Sequence, residues 1–298
     1  MRDLGIDQRP RSLKVRTWKR LAVSSLGGVQ FSFGLLQKRY RFPAVQLRPN
    51  NELHRIHVFL TVPSGLLHSP WTWTSFCDRG LESKVIIPLD KAVIARLSEV
   101  ITATTDAFER YDHTRALEQT ESFFWDFCDN YLELVKDRAH NFSGKWQEDA
   151  QDSARCALAI VVDNVTRLLA PFLPYSAEEV WSWYRTGSVH IAPWPSVSPE
   201  LKQVAGDSQL LKLAGDTLSV LRKVKSEAKV GQRTPFEQVT MVYADDWSAN
   251  NLPAVRADLE AAASLNGTVN IEVDADASAP VSTRNAVLGT PPAKKPRN

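Results

Sequence analysis

The stretch ALEQTESFFWDFCDNYLELVKDR, residues 116–138, decides the fold of this 298-residue chain. A helix turns by about 100° per residue, and on that spacing six apolar side chains fall within one wide sector: Leu117, Phe124, Phe127, Cys128, Tyr131 and Val135. A sector so rich in aromatic side chains must pack away from water against other helices. The stretch therefore predicts the central helix of a bundle.

Helices are predicted on both sides of this central helix. After Pro88, apolar or small residues recur at alternating steps of four and three, which indicates a helix packed lengthwise on another: Val93, Leu97, Val100, Thr104, Ala107 and Tyr111. A polar turn at residues 112–114 then leads into the central helix. A third helix is expected from about Asp149 to Leu169, and Pro171 and Pro174 should stop it.

The next part of the bundle carries a capping signal and an extended segment. Ser176 and Glu179 have the spacing of a capping box, which predicts a short helix that begins there. Residues 187–195 should be extended, with His190 and Trp194 fastening them to the bundle. A fifth helix is expected over about residues 208–229.

After residue 235 the apolar period becomes two, which predicts a strand over about residues 236–243. A helix at about residues 252–265 and a strand at 269–273 would complete a β-α-β unit. From residue 275 onward Ala, Ser, Pro and Lys dominate, so a disordered tail is expected over 275–298. The predicted fold class is mainly α: a helix bundle over 81–200, then a basic helix with a small β-α-β appendage over 201–274.

Charge divides the chain into two regions. Residues 1–80 hold 13 Lys and Arg against four Asp and Glu, whereas residues 81–298 hold 23 against 30. The fold of the basic N-terminal region is unclear from its sequence. It is open whether this region is a loosely ordered arm, an RNA-contacting extension, or foreign to the natural context of residues 81–298.

Composition narrows the class of protein. Three scattered cysteines give neither a disulfide framework nor zinc spacing, which fits a reducing cytoplasm. No apolar run is long enough to cross a membrane, and the run at 21–36 is interrupted by polar residues, so we interpret it as non-targeting. No phosphate-cradling glycine loop is present, and Cys128 would sit in the apolar sector, where a thiol is usually inert. We therefore expect no catalytic, cofactor-binding or metal site in this chain.

Several stretches together resemble the C-terminal part of a class I aminoacyl-tRNA synthetase, specifically valyl-tRNA synthetase. The FCD-x-YLEL run, with its upstream Trp, carries the valyl character. The resemblance covers about residues 80–273 in family order, through PLDKAVIARL (88–97), ALE (116–118), FFWDFCDNYLELVK (123–136), APFLPYSAEEVW (170–181), SVHIAPWP (188–195) and RKVKSEAKV (222–230).

The resemblance implies an anticodon-binding helix bundle that docks on the anticodon stem-loop of valine tRNA in the cytoplasm. ATP is the cofactor of the full-length family. Nothing here resembles the family's His-Ile-Gly-His or Lys-Met-Ser-Lys-Ser motifs or its editing domain, so aminoacylation would need a separate catalytic chain. We expect a tRNA-binding fragment or divergent form of valine–tRNA ligase. The alternatives are a helical protein-interaction module and a truncated relic without tRNA binding.

Two groups of residues are candidates for tRNA contact. On the central helix, an indole, a carboxylate and an ammonium at the edge of the apolar sector could stack on a base, accept from a base edge and hold a phosphate: Trp125, Asp129 and Lys136, with Arg138 and, less strongly, Arg115. Burial in the core is the favoured alternative for Trp125, and solvation is an equal alternative for Lys136 and Arg138. At the end of the fifth helix, the candidates for a phosphate-contacting cluster are Arg222, Lys223, Lys225, Lys229 and Arg233, although cations also favour a helix C-terminus for electrostatic reasons.

Overall fold

The computed structural model describes residues 80–291. The predictions for residues 1–79 and 292–298 lie outside the described residues. Helices make up most of the first two thirds of the described part: α1 (Pro88–Glu109), α2 (His113–Asp126), α3 (Leu132–His140), α4 (Glu148–Leu169), α5 (Pro174–Trp181), α6 (Pro199–Val204) and α7 (Gln209–Glu227).

The predicted central helix is confirmed, and it contains a feature that the sequence did not predict. Between α2 and α3 the backbone stays helical but widens into a π turn at Phe127–Tyr131. Phe124, Phe127, Tyr131 and Val135 are all buried, as the apolar sector requires. The run therefore crosses the bundle without a break, with its aromatic face against α1 and α4.

The first helix follows its predicted seam up to its last turn. The seam residues from Val93 to Ala107 are buried. Tyr111, which the same spacing placed on the seam, lies outside the helix with φ of 59° and is 85% exposed. The helix ends at Glu109 because Tyr111 adopts the left-handed conformation that closes a helix C-terminus. Asp112 then caps α2 by accepting from the Arg115 amide.

The capping box at Ser176 and Glu179 predicted the wrong first residue for the short helix that follows α4. Helix α5 begins at Pro174, whose fixed φ suits the first helical position, so Ser176 lies inside the helix and does not cap it. Glu178 instead accepts from the Val189 amide and the Ser188 hydroxyl, which holds residues 187–195 against α5. This segment was predicted to be extended, but it contains a 3-10 turn at Val189–Ile191. His190 and Trp194 contact the bundle as expected, through the Pro174 carbonyl and the Thr105 hydroxyl.

The appendage is a three-stranded sheet with order β2-β1-β3: β1 (Phe236–Tyr243), β2 (Leu265–Val273) and β3 (Val281–Leu288). Strand β1 runs parallel to β2 and antiparallel to β3. Between β1 and β2 lies α8 (Asp246–Asn251), which was not predicted. The helix predicted at about 252–265 consists of a 3-10 turn containing Pro253 and α9 (Arg256–Ala263), because proline cannot continue a helical ladder. One continuous core joins the sheet to the bundle.

The predicted disordered tail is wrong for residues 281–288, which form β3. Composition gave the wrong answer because Ala, Ser and Pro surround a short segment with β-branched residues at Val281, Thr283 and Val287. The segment is stabilised by pairing with the second edge of β1. Within residues 80–291, no helix has the length and apolarity that a membrane crossing requires.

Candidate nucleic-acid interface

The π turn is the place where the central helix and α7 make polar contact. Its geometry is set by the Leu132 amide, which donates five residues back to the Phe127 carbonyl. A guanidinium N–H of Arg222, on α7, donates to the Asp129 carbonyl inside this turn at 2.9 Å. Single π turns within α-helices are frequent at functional sites. Here the turn offers a backbone acceptor to a side chain from a helix 93 residues away in sequence.

Close helix packing brings α7 to this turn. A Cβ added to Gly215 would lie 3.0 Å from Nδ2 of Asn130, so α7 approaches the π turn at a residue that has no side chain. The Asn130 amide is held in place by a 2.7 Å hydrogen bond to Asp126. Glycine is unfavourable inside a helix, and this contact gives it a physical reason.

Glu133 joins the cations of the two helices. Its Oε2 accepts from Nζ of Lys136 at 2.6 Å and from a guanidinium N–H of Arg222 at 3.0 Å. We call Asp129, Glu133, Lys136 and Arg222 the Glu133 cluster. Three of its members were predicted as tRNA contacts: Asp129 and Lys136 in the group on the central helix, and Arg222 in the group at the end of the fifth helix. The structure brings them together at the surface. The side chain of Lys136 is 50% exposed and that of Arg222 is 33% exposed.

Trp125 lies one turn before the Glu133 cluster and packs against the core. Its ring meets Phe124 edge-on with 5.1 Å between centroids, and its Nε1 donates to Glu121. The side chain is half-buried, which agrees with the favoured core interpretation. Phe123, the neighbouring aromatic residue, is fully buried.

The end of α7 separates its five predicted cations into two environments. Lys223, Lys229 and Arg233 are exposed, and Arg222 belongs to the Glu133 cluster. Lys225 points inward, where its ammonium donates to the carbonyls of Gln232 and Ala263 at 2.8 and 2.6 Å. Burial lowers the pKa of Lys225 to about 8. This lysine fastens the end of α7 to the sheet region, so it is not available to a phosphate.

Arg138 is also buried, so the prediction that it contacts phosphate is wrong. The guanidinium donates to both carboxylate oxygens of Asp90 and both of Asp258, at distances between 2.7 and 3.2 Å. Tyr131 and Ser153 complete the environment of Asp90. Burial by itself would lower the pKa of Arg138, but the hydrogen bonds and charges of the two aspartates raise it above its ordinary value. Arg138 therefore ties α3 to α1 and α9.

Arg115 is exposed but lies far from the other candidates. It precedes Lys136 by 21 residues along one helical run, which corresponds to about 30 Å. The suggestion that Arg115 and Lys136 share one surface is therefore not supported by the fold. Glu133, which was not among the predicted contacts, is the residue that links the two candidate groups.

Basic charge is local in this part of the chain. Residues 81–291 hold 20 Lys and Arg against 30 Asp and Glu. Residues 222–233 hold five basic residues and a single acidic one, Glu227. A polyanion would therefore meet a favourable potential at the end of α7 and an unfavourable one over much of the remaining surface.

Comparison with known proteins places this architecture in a family. Residues 90–241 match the family described as the anticodon-binding domain of tRNA ligase. A valine–tRNA ligase of Bifidobacterium longum subsp. infantis is 42% identical over 226 residues, which cover 71% of this chain and 25% of the relative. The valine–tRNA ligase of Thermobifida fusca is 51% identical over 155 residues, 52% of this chain and 17% of the relative. The valine–tRNA ligase of Cutibacterium acnes is 38% identical over 226 residues, which cover 74% of this chain and 24% of the relative.

The chain thus spans about a quarter of the length of the first of these relatives. The matched family region begins inside α1, contains the whole central helix and α7, and ends in β1. It includes every residue of the Glu133 cluster and the exposed cations at the end of α7. The chain belongs to the anticodon-binding domain family of tRNA ligases, with its relatives among the valine–tRNA ligases.

Proposed function

We propose that this domain binds the anticodon stem-loop of a tRNA, and that the tRNA is the one specific for valine. The observation that carries the proposal is a coincidence of two independent features. The family region contains the central helix and α7, and these two helices meet where the exposed basic residues of the domain concentrate. The RNA-facing set consists of Lys136, Arg222, Lys223, Lys229 and Arg233.

The chemistry of this surface suits RNA better than an apolar partner. Exposed ammonium and guanidinium groups neutralise phosphates and release counterions, so binding should weaken steeply with salt. Asp129 is exposed beside them and can accept from a base edge, which would add a sequence-dependent contact. Catalysis is assigned elsewhere: we propose that ATP-dependent ligation takes place in another part of the protein or on another chain.

The test is binding of the full chain to valine tRNA and to an unrelated tRNA over a salt series. The decisive variant is Lys223→Ala, and its matched control is Lys212→Ala on the same helix. The two lysines are 74% and 73% exposed, and each has an acidic partner four residues later. They lie 11 residues apart, about 16 Å along α7, and only Lys223 lies at the basic end.

We expect Lys223→Ala to weaken binding of both tRNAs by a few-fold and to lower the salt slope by about 0.7–0.9, the value for one phosphate contact. Lys212→Ala should leave the affinity and the slope unchanged. Preference for valine tRNA should persist in both variants, because a phosphate contact carries no sequence information. Equal effects of the two variants, or no binding by the wild-type chain, would refute the proposed surface. No binding, or equally weak binding of both tRNAs, would instead favour a protein-docking module or a relic without tRNA binding.

A further inference from the structure

We infer that Glu133 restrains the RNA-binding surface by competing with phosphate for Lys136 and Arg222. The inference rests on the proposed function and deepens it. A single carboxylate oxygen holds the ammonium of Lys136 at 2.6 Å and the guanidinium of Arg222 at 3.0 Å. Within the described part of the chain, these are the ion pairs that each of the two cations forms. A phosphate that binds either cation must therefore displace or share Glu133.

The geometry separates the fixed part of the cluster from the part that can exchange. Arg222 has a second anchor, because its other amino group donates to the Asp129 carbonyl in the π turn. This backbone contact keeps the guanidinium in place when Glu133 is displaced. Lys136 is held by Glu133 alone among the described residues, and half of its side chain is exposed. Arg222 therefore stays bound to the π turn through one amino group and can donate the other to a phosphate. Lys136 is free to move to a phosphate once Glu133 releases it.

The exchange should be energetically easy. Glu133 and its two partners are all between one third and one half exposed. Ion pairs in such positions contribute little to stability, so a phosphate dianion or a row of RNA phosphates can replace the carboxylate at small cost. The same carboxylate would repel RNA from any approach that leaves Lys136 and Arg222 paired. Glu133 therefore makes binding depend on a phosphate placed at this point, and it disfavours polyanions that present no phosphate there.

The experiment compares Glu133→Gln with Glu227→Gln in the full chain, measuring the affinity for valine tRNA over a salt series. Each variant removes one negative charge close to the basic end of α7. Glu227 is 66% exposed and lies 3.9 Å from Lys223, at the limit of an ion pair, so it competes only weakly for that one cation and serves as the control for a general change in charge. Circular dichroism of both variants establishes that the helices are retained.

We expect Glu133→Gln to tighten binding by about 2- to 10-fold at low salt, because phosphates then reach Lys136 and Arg222 without displacing a carboxylate from either cation. The salt slope should become steeper by about 0.7–1.8, because one to two cations that Glu133 neutralises in the free chain then count fully toward neutralising phosphates. Glu227→Gln should change both quantities by less than half as much. Equal effects of the two substitutions would overturn the inference in favour of a general electrostatic effect.

A double-mutant cycle with Lys136→Ala gives the second readout. If Glu133 acts by masking Lys136, the gain from Glu133→Gln must shrink when Lys136 is already absent. Additive effects would contradict the inference. A loss of affinity in Glu133→Gln would overturn it as well, since the carboxylate would then contact the RNA directly. These outcomes differ from failure of the proposed function, which would appear as absence of tRNA binding by the wild-type chain.

Discussion

Removal of the buried guanidinium of Arg138 is the most exacting test of how this fold is held together. Arg138 donates five hydrogen bonds: two to Asp90, two to Asp258 and one to the Ala150 carbonyl. In Arg138→Met, Asp90 would keep its bonds from Tyr131 and Ser153. Asp258 would lose both of the bonds that it accepts from Arg138 and remain buried.

An uncompensated buried charge makes this loss large. Removing one partner of a buried ion pair typically costs about 3–5 kcal/mol, and a domain of this kind is stable by only about 5–15 kcal/mol in total. We therefore expect Arg138→Met to remove a fifth or more of the free energy of unfolding. Urea unfolding of the full chain, followed by the helical circular dichroism signal, measures the loss. Arg256→Ala is the matched control, because Arg256 lies on the same helix as Asp258 and pairs with Glu260 in solvent. It should cost at most about 1 kcal/mol.

The pH dependence identifies the cause. Burial raises the pKa of Asp258, and Arg138 opposes that shift. Without Arg138 the pKa of Asp258 in the folded state rises further, so the folded chain binds a proton at a higher pH than the unfolded chain does. The stability of the variant therefore falls as pH rises from the unfolded-state pKa of Asp258 to its folded-state pKa. The loss in Arg138→Met should thus be largest near neutral pH and smaller in acid, and Asp258→Asn in the same chain should recover at least about 1 kcal/mol. A cost no larger than that of Arg256→Ala, at every pH, would refute the reasoning.

Three further substitutions test other contacts. Helix propensity alone would make Gly215→Ala stabilising by about 1 kcal/mol. The added Cβ would lie 3.0 Å from the Asn130 side chain, so we expect a net loss in urea unfolding that Asn130→Ala reverses. The pKa of Lys225 falls from 10.5 to about 8 on folding, so between these pH values the unfolded chain binds more protons than the folded one. As pH rises over this range, the free energy of unfolding of the wild-type chain in urea should rise relative to that of Lys225→Met. A difference between the two chains that does not change with pH would contradict this. Trp194→Phe removes the 2.9 Å hydrogen bond to the Thr105 hydroxyl and should lower the free energy of unfolding by about 0.5–1.5 kcal/mol, measured by thermal unfolding. A much larger loss would contradict the view that Trp194 contributes one surface hydrogen bond.

The long helices were predictable because each carries an apolar stripe that must pack against a partner, whereas the six-residue helices α6 and α8 were not predicted. The period of α1, the aromatic sector of the central helix and the apolar side of α7 all correspond to buried faces. The apolar period did not predict the π turn, in which the Asp129 carbonyl accepts from Arg222, 93 residues away in sequence. Strand β3 was missed because its stability comes from the open edge of β1 and not from its own composition.

Charged residues were harder to interpret, although the sequence contained a usable signal. Two basic residues proposed as RNA contacts, Arg138 and Lys225, occupy positions in an apolar stripe. Lys225 follows Leu218 by seven residues and Leu221 by four, and Arg138 follows Tyr131 by seven and Leu134 by four. Helical geometry places such residues on the buried side of their helix. Both are buried in the structure.

The same criterion separates these internal cations from the exposed ones. Lys136 and Lys223 each precede an internal cation by two residues, which is about 200° around the helix, and both are exposed. Asp90, seven residues before Leu97, follows the stripe of α1 and is the internal partner of Arg138. The position of a charged residue relative to the apolar stripe therefore decides whether its charge serves the fold or the surface. A count of basic residues alone therefore overestimates the charge that this domain can present to RNA. The internal partners of Arg138 are Asp90 and Asp258, 48 and 120 residues away in sequence, so helical spacing predicts the burial of Arg138 but only the tertiary structure identifies its partners.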